Sequence, residues 1–389
     1  MNPHRCSRTG TRRAHAGFTL VELLVAVTIG MALVLAITLM LTRYESGRRT
    51  LTSVNDSSMG SAYVSYSLDR FVRSAGSGYA QAWKESYGCQ LLASRGGTTT
   101  LPRASAFPAP FAGVPQAMRL APVVVHAGAG TDGSDILAIA TGASGLGESP
   151  LPVMTASATG TGLRLPSTIG LRAGDLVMVF QDATQCMVQQ VASGFAGGAD
   201  QQLSFGGTYA DSDINGTRLE DLGVSTPAWV APLGNMAGNQ PMFQLLGVGP
   251  NATLVAHDVL QLDGTDSVVA IADGVADLRA RYGVDTNNDN VVDSWQDPAL
   301  APWNAATLLD GTLASKNRLS QIVSLRVGVM VRTSTPERSS VAPGTVLLFT
   351  DLGPTLEVTR TLTTAERLVR WRTVEFTVPL RNALLTQRP

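Results

Sequence analysis

The chain has 389 residues, 44% apolar and 15% charged, which excludes a disordered protein and leaves material for a sizeable core. Its 39 Gly and 20 Pro favour a β-rich body with many turns. The net charge is −1; the first 17 residues hold Arg5, Arg8, Arg12 and Arg13 without an acid, so the remaining 25 basic residues face 30 acidic ones, and a body at −5 is a poor nucleic-acid binder.

The first predicted element is the apolar run Phe18–Leu41, 24 residues with Glu22 as its single charge. At about 1.5 Å per residue it extends roughly 36 Å, enough to cross a bilayer. The Arg-rich segment 1–17 before it stays cytoplasmic, which puts the C-terminal body outside. An ordinary signal peptide has a shorter apolar region with small residues after it. Here the small residue, Gly17, comes first, so a cut there removes a leader and keeps the helix. A charge inside an apolar span is costly unless it lies near the interface or finds a partner, which makes Glu22 either an interfacial residue or a functional one.

The stretch Gly17-Phe18-Thr19-Leu20-Val21-Glu22-Leu23-Leu24-Val25 closely resembles the prepilin cleavage motif of type IV pilins and type II secretion pseudopilins. The resemblance implies cleavage after Gly17, methylation of the new N-terminal Phe18, and pairing of Glu22 with a neighbouring subunit's N-terminal amine. In a low-dielectric filament core an amine and a carboxylate each need the other.

No proline occurs between Pro3 and Pro102, so one helix can run on from Phe18. Beyond Leu41 the chain turns polar, and an apolar stripe returns at Val64, Leu68, Phe71, Val72 and Ala75, the helical spacing of a face packed on a body. Gly76 and Gly78 end the pattern. The expected helix has about 55 residues. Its half at 18–41 lies in membrane or filament core, and its half at 42–76 is amphipathic.

The remainder, 77–389, reads as a large antiparallel β-rich head, giving an α+β, pilin-like fold. Candidate strands are 121–126, 135–140, 175–181, 187–192, 253–262, 268–272, 275–283, 321–332, 345–349 and 372–380. Segments 94–120 and 194–245, rich in Gly, Pro, Ala and Ser, read as long loops. Cys6 lies in the leader. In an exported body Cys89 and Cys186 form an even set that can pair as a disulfide, the alternative being two buried free thiols.

The head narrows the resemblance. Ala75-Gly76-Ser77-Gly78-Tyr79 followed by Cys89, Gly174–Val179 followed by Cys186, Ala272–Asp285, and Val378-Pro379-Leu380-Arg381-Asn382 are similar to PilW-like minor pilins. The middle of the chain, from about 94 to 250, carries little of this likeness.

Asp285, Asn287, Asp289, Val291 (by its carbonyl) and Asp293 follow the ligand spacing at the start of an EF-hand-type loop, which suits Ca²⁺. Asn290 stands where Gly is expected, Gln296 replaces the closing Glu, and the segment before is a strand. The alternative is an Asx-rich hairpin turn. Gly128–Gly133 matches GxGxxG, but a strand rather than a helix follows, so it reads as a turn. No catalytic set emerges.

The sequence therefore points to a non-catalytic minor pilin of the PilW kind that requires no cofactor. Its expected partners are other major and minor pilins, the prepilin peptidase/methyltransferase and the inner membrane, with no nucleic acid. It is anchored in the inner membrane with a periplasmic head, then joins a pilus at the cell surface, near the tip. The alternatives are a type II secretion pseudopilin and a membrane-anchored periplasmic enzyme or binding protein.

Overall fold

The computed structural model describes residues 17, 19–144, 149–182, 185–198 and 201–384, without the side chains of 46, 49–53 and 56. One α-helix runs Leu20–Arg73, 54 residues. The chain divides into two compact units, 1–55 and 56–389, with the boundary inside this helix.

In the first unit, Leu20–Glu45 forms a 26-residue span with mean hydropathy 2.7 and no buried residue. Its hydroxyls bond back to the helix itself: Thr28 Oγ1 donates to the Val25 carbonyl at 2.9 Å and Thr42 Oγ1 to that of Leu39 at 3.0 Å. Each of these hydroxyls thereby carries its partner with it, as an apolar environment demands.

In the second unit, Ser61, Val64, Ser67, Leu68 and Val72 line the buried face of the same helix. Arg73 Nε closes the last turn on Asp69 at 3.0 Å. The chain then turns at Gly76 (φ +81°) and Gly78 (φ +88°). A Cβ on Gly78 would meet the Pro232 carbonyl oxygen at 2.8 Å, so glycine is required there by both space and backbone angle.

The head is built from three main sheets. The six-stranded sheet has the spatial order Thr98–Leu101, Gln90–Arg95, Gln185–Gln190, Asp175–Gln181, Ala228–Asn235 and Leu151–Pro152. Its pairs are antiparallel except Gln90–Arg95 with Gln185–Gln190. The five-stranded sheet is antiparallel throughout, in the order Val268–Asp273, Thr253–Asp258, Met242–Gly249, Ile136–Thr141, Val123–His126. The four-stranded sheet, also antiparallel, runs Ser294–Gln296, Val275–Val284, Ile322–Arg332, Trp371–Pro379. The main core joins Val64, Leu68 and Val72 of the helix to Val124, Leu245, Leu325 and Val378 of the sheets. Smaller cores lie beneath 151–230 and beneath the hairpin of Thr345–Leu348 and Val358–Thr361.

This is an α+β, pilin-like fold: a long N-terminal apolar helix followed by a β-rich head. The loop reading of 194–245 is corrected, because Ala228–Asn235 and the start of Met242–Gly249 are sheet strands. Pro232 and Gly234, which mark a breaker in the sequence, sit at a register shift in the pairing with Asp175–Gln181, where an irregularity tolerates them. The 94–120 segment likewise begins in strand, at Gln90–Arg95 and Thr98–Leu101, before it becomes loop.

Candidate functional site

The helix start is the first candidate. Gly17 and Thr19 are exposed, while Phe18 and the leader 1–16 lie outside the described residues. Thr19 precedes the first helical residue, and its Oγ1 accepts the Glu22 amide at 3.3 Å. Thr19-Leu20-Val21-Glu22 is thus a capping-box sequence, whose Thr satisfies one of the amides that a helix start leaves open. Glu22 is exposed and stands in the first turn, where the positive end of the helix dipole favours a carboxylate. Glu22 consequently presents its charge at the head of an uncovered apolar rod. Thr19 was missed by the sequence reading, although the T-x-x-E spacing signals it.

Cys89 and Cys186 form a disulfide with Cα atoms 5.7 Å apart, and both are fully buried. Cys89 directly precedes the strand Gln90–Arg95, and Cys186 pairs with Leu91 across the parallel seam. Cys6 lies outside the described residues.

The calcium expectation is not supported. Among the described residues no group of three or more His, Cys, Asp and Glu is placed to hold a metal ion. The loop carboxylates turn to its own amides instead. Asp285 accepts from the amides of Asn288 (2.7 Å) and Asn290 (2.8 Å), Asp289 from Val291 (2.8 Å), and Asp293 from Thr286 (2.7 Å). Asn288 and Asn290 hold φ of +65° and +68°, which Asn tolerates better than most residues. The residues form an Asx-rich turn between the strands Val275–Val284 and Ser294–Gln296.

The stretch Ala272–Asp285 crosses from one sheet to another through Gly274 (φ +85°). Within the strand Val275–Val284, Leu278, Ala280 and Tyr282 join the main core. Asp277, Arg279 and Arg281 alternate with them and point to the other face. Arg279 Nε lies 2.9 Å from Asp277 Oδ1, and its Nη1 3.6 Å from Asp135 Oδ1. Asp135 also accepts the amides of Gly128 (2.9 Å) and Ala280 (3.0 Å). Burial raises the pKa of both carboxyls, opposed by Arg279 beside them and, at Asp135, by the two amides. Arg281 donates to the Leu356 carbonyl at 3.2 Å and lies over the Phe349 ring at 5.4 Å. This network ties Val275–Val284 to the 128–135 loop and to the hairpin above it. Its charged groups pair with one another and with main-chain atoms, which makes it a brace. The GxGxxG segment it holds is a tight turn leading into the strand Ile136–Thr141.

Two family descriptions match the chain. Type IV pilus-assembly protein W matches residues 246–382, which contain the braced strand and the C-terminal sheet. The prokaryotic N-terminal methylation motif matches residues 12–38, which contain Gly17, Phe18, Thr19 and Glu22. No curated protein and no solved structure matches.

Proposed function

We propose that the chain is a PilW-like type IV pilin, and a minor one that takes part in initiating pilus assembly at or near the filament tip; the two matched segments support its place among such pilins. The observation that carries this reading is the motif Gly17–Glu22 heading a 26-residue apolar helix. Cleavage after Gly17 would leave Phe18 as the methylated N-terminus. Glu22 would then meet the amine of a neighbouring subunit, a pairing that gains strength as water is excluded. The head is large for a repeating shaft, which favours the tip. The role is structural, without catalysis or a required cofactor. Other pilins and the prepilin peptidase are its partners. The helix anchors it in the inner membrane with the head in the periplasm until assembly.

The test is the N-terminal mass of the mature protein from cells with and without prepilin peptidase. A chain beginning at methylated Phe18 only when the peptidase is present is the expected result. An intact leader in both strains, or a cut beyond Leu41, would overturn the reading. Deletion of the gene is expected to abolish or sharply reduce piliation. Normal piliation with impaired enzyme secretion would assign the chain to a type II secretion machine, which uses the same motif. Glu22→Ala is expected to be processed and methylated but absent from sheared filaments, with the head's melting temperature unchanged.

A further inference from the structure

The chain carries three Asn-x-Ser/Thr sequences, Asn55-Asp56-Ser57, Asn215-Gly216-Thr217 and Asn251-Ala252-Thr253. In an exported chain such a sequence can accept an N-linked glycan, provided the fold presents it at the surface. The fold treats the three differently. Asn55 lies within the helix Leu20–Arg73, where the backbone is committed to helical hydrogen bonds. Asn251 is exposed, but Thr253 opens the strand Thr253–Asp258, which is paired on both sides, and its hydroxyl donates to Asp273 Oδ1 at 3.2 Å. Asn215 and Gly216 form the tip of a two-residue hairpin, with φ of +53° and +80°, the signs that such a turn requires. Two residue pairs close it, Asp213↔Arg218 and Ile214↔Thr217, and Asp213 Oδ1 accepts the Gly216 amide at 2.9 Å. Ile214 is fully buried and anchors the hairpin to the smaller core beneath 151–230. Asn215 is exposed, and neither its side-chain amide nor the Thr217 hydroxyl has a hydrogen-bond partner among the described residues. Opening so short a ladder costs little beside pulling out a central strand or unwinding a helical turn.

We propose that Asn215 is the acceptor of an N-linked glycan, transferred in the periplasm from a polyprenyl-pyrophosphate-linked oligosaccharide by a membrane oligosaccharyltransferase. The inference rests on the proposed export of the head. In the transfer, the bond from Asn215 Nδ2 to sugar C1 forms as the bond from C1 to the pyrophosphate oxygen breaks. The lipid pyrophosphate leaves with the electron pair, and one amide proton passes to a base of the transferase. The unengaged Thr217 hydroxyl and the exposed Asp213 carboxylate are the groups beside the acceptor that the enzyme can grip.

The test is peptide mass spectrometry of the full chain purified from its own cells. The peptide containing Asn215 is expected to carry sugar on that side chain, and the peptides containing Asn55 and Asn251 to be bare. Asn215→Gln and Thr217→Ala are each expected to abolish the modification, and Thr217→Ser to keep it. Thr217→Ala leaves both turn residues in place, so its loss of sugar reports recognition rather than a broken hairpin. A bare Asn215 in the wild type, sugar that persists in Thr217→Ala, or sugar on Asn251 or Asn55 in place of Asn215 would each overturn the proposal. Conversion of Asn215 to aspartate without sugar would do the same, showing only the spontaneous chemistry of an Asn-Gly pair. The N-terminus read from the same sample separates this proposal from the reading of function: a chain cut after Gly17 with a bare Asn215 overturns the glycan alone.

Discussion

Asp285 has no exposed surface, and its two carboxylate oxygens each hold an amide of the following turn. Removing them leaves two part-buried amide donors without their acceptor, which costs about 1–3 kcal/mol. Asp285→Ala is therefore expected to destabilise the head by that amount, equally in Ca²⁺ and in EDTA, as followed by thermal unfolding. A wild-type melting temperature that rises in Ca²⁺ and a variant that loses the rise would restore the cation reading. His126 gives a second prediction at this scale. Its pKa falls from 6.5 to about 4 on folding because burial disfavours the charged ring. Above pH 6.5 both states are neutral. Between pH 6.5 and 4 the unfolded chain takes up a proton that the native state refuses, so stability falls with pH and levels off below about 4. The loss is on the order of 3 kcal/mol. Asp135 and Asp277, whose carboxyls are raised by burial above 3.8, act in the opposite sense as the pH falls towards 3.8. The quantity to measure is thus the difference between wild type and His126→Gln, in which those contributions cancel. A difference that is flat from pH 7 to 4 would show that His126 is not the group refusing the proton.

The helix Leu20–Arg73 is one element in two environments. Its apolar half has no buried residue, whereas Leu68 in the head half is fully enclosed and Tyr66 is 65% exposed. Leu68→Ala is expected to cost about 2–5 kcal/mol through lost contact and cavity, and Tyr66→Ala less than about 0.5 kcal/mol, both from denaturant unfolding. Equal effects would mean that the helix is not seated by this face. The stripe that identifies Leu68 was legible because helical periodicity is local. So was the motif of Gly17, Phe18 and Glu22, and so were strands of unbroken apolar character such as Asp175–Gln181, whose limits match the expected ones. Ala228–Asn235 was not, since Pro232 and Gly234 imitate a loop until an irregular pairing absorbs them. The helix Leu313–Gln321 was hidden by its polarity; Thr312 caps it by accepting the Ser315 amide at 3.2 Å. The brace was illegible for another reason: Asp135 and Ala280 are 145 residues apart, and only the folded chain brings them together.

For the whole molecule the same distance problem falls on folding itself. Gln90–Arg95 and Gln185–Gln190 meet in the sole parallel pairing of the main sheets among the described residues, over three register positions, Gln90↔Gln185 to Leu92↔Met187. So short a seam must be closed across a long loop, and closure entropy opposes it before any contact repays it. The disulfide Cys89–Cys186, with a separation of 97 residues, removes that entropy from the unfolded chain. For a loop of this length the chain-entropy model gives about 4–5 kcal/mol, comparable with much of the stability of an ordinary domain. The head is therefore expected to depend on an oxidising compartment, which accords with the proposed export of the body. Cys89→Ala with Cys186→Ala should lower thermal stability by several kcal/mol and open the head to limited proteolysis at temperatures where the wild type resists. Alanine is preferred to serine because both positions are fully buried and a hydroxyl would add its own desolvation cost. Cleavage should concentrate first in the 90–101 and 185–190 strands, whose seam the disulfide holds. A double variant that melts within a few degrees of the wild type would mean that packing alone closes the seam, and that the head can fold in a reducing environment.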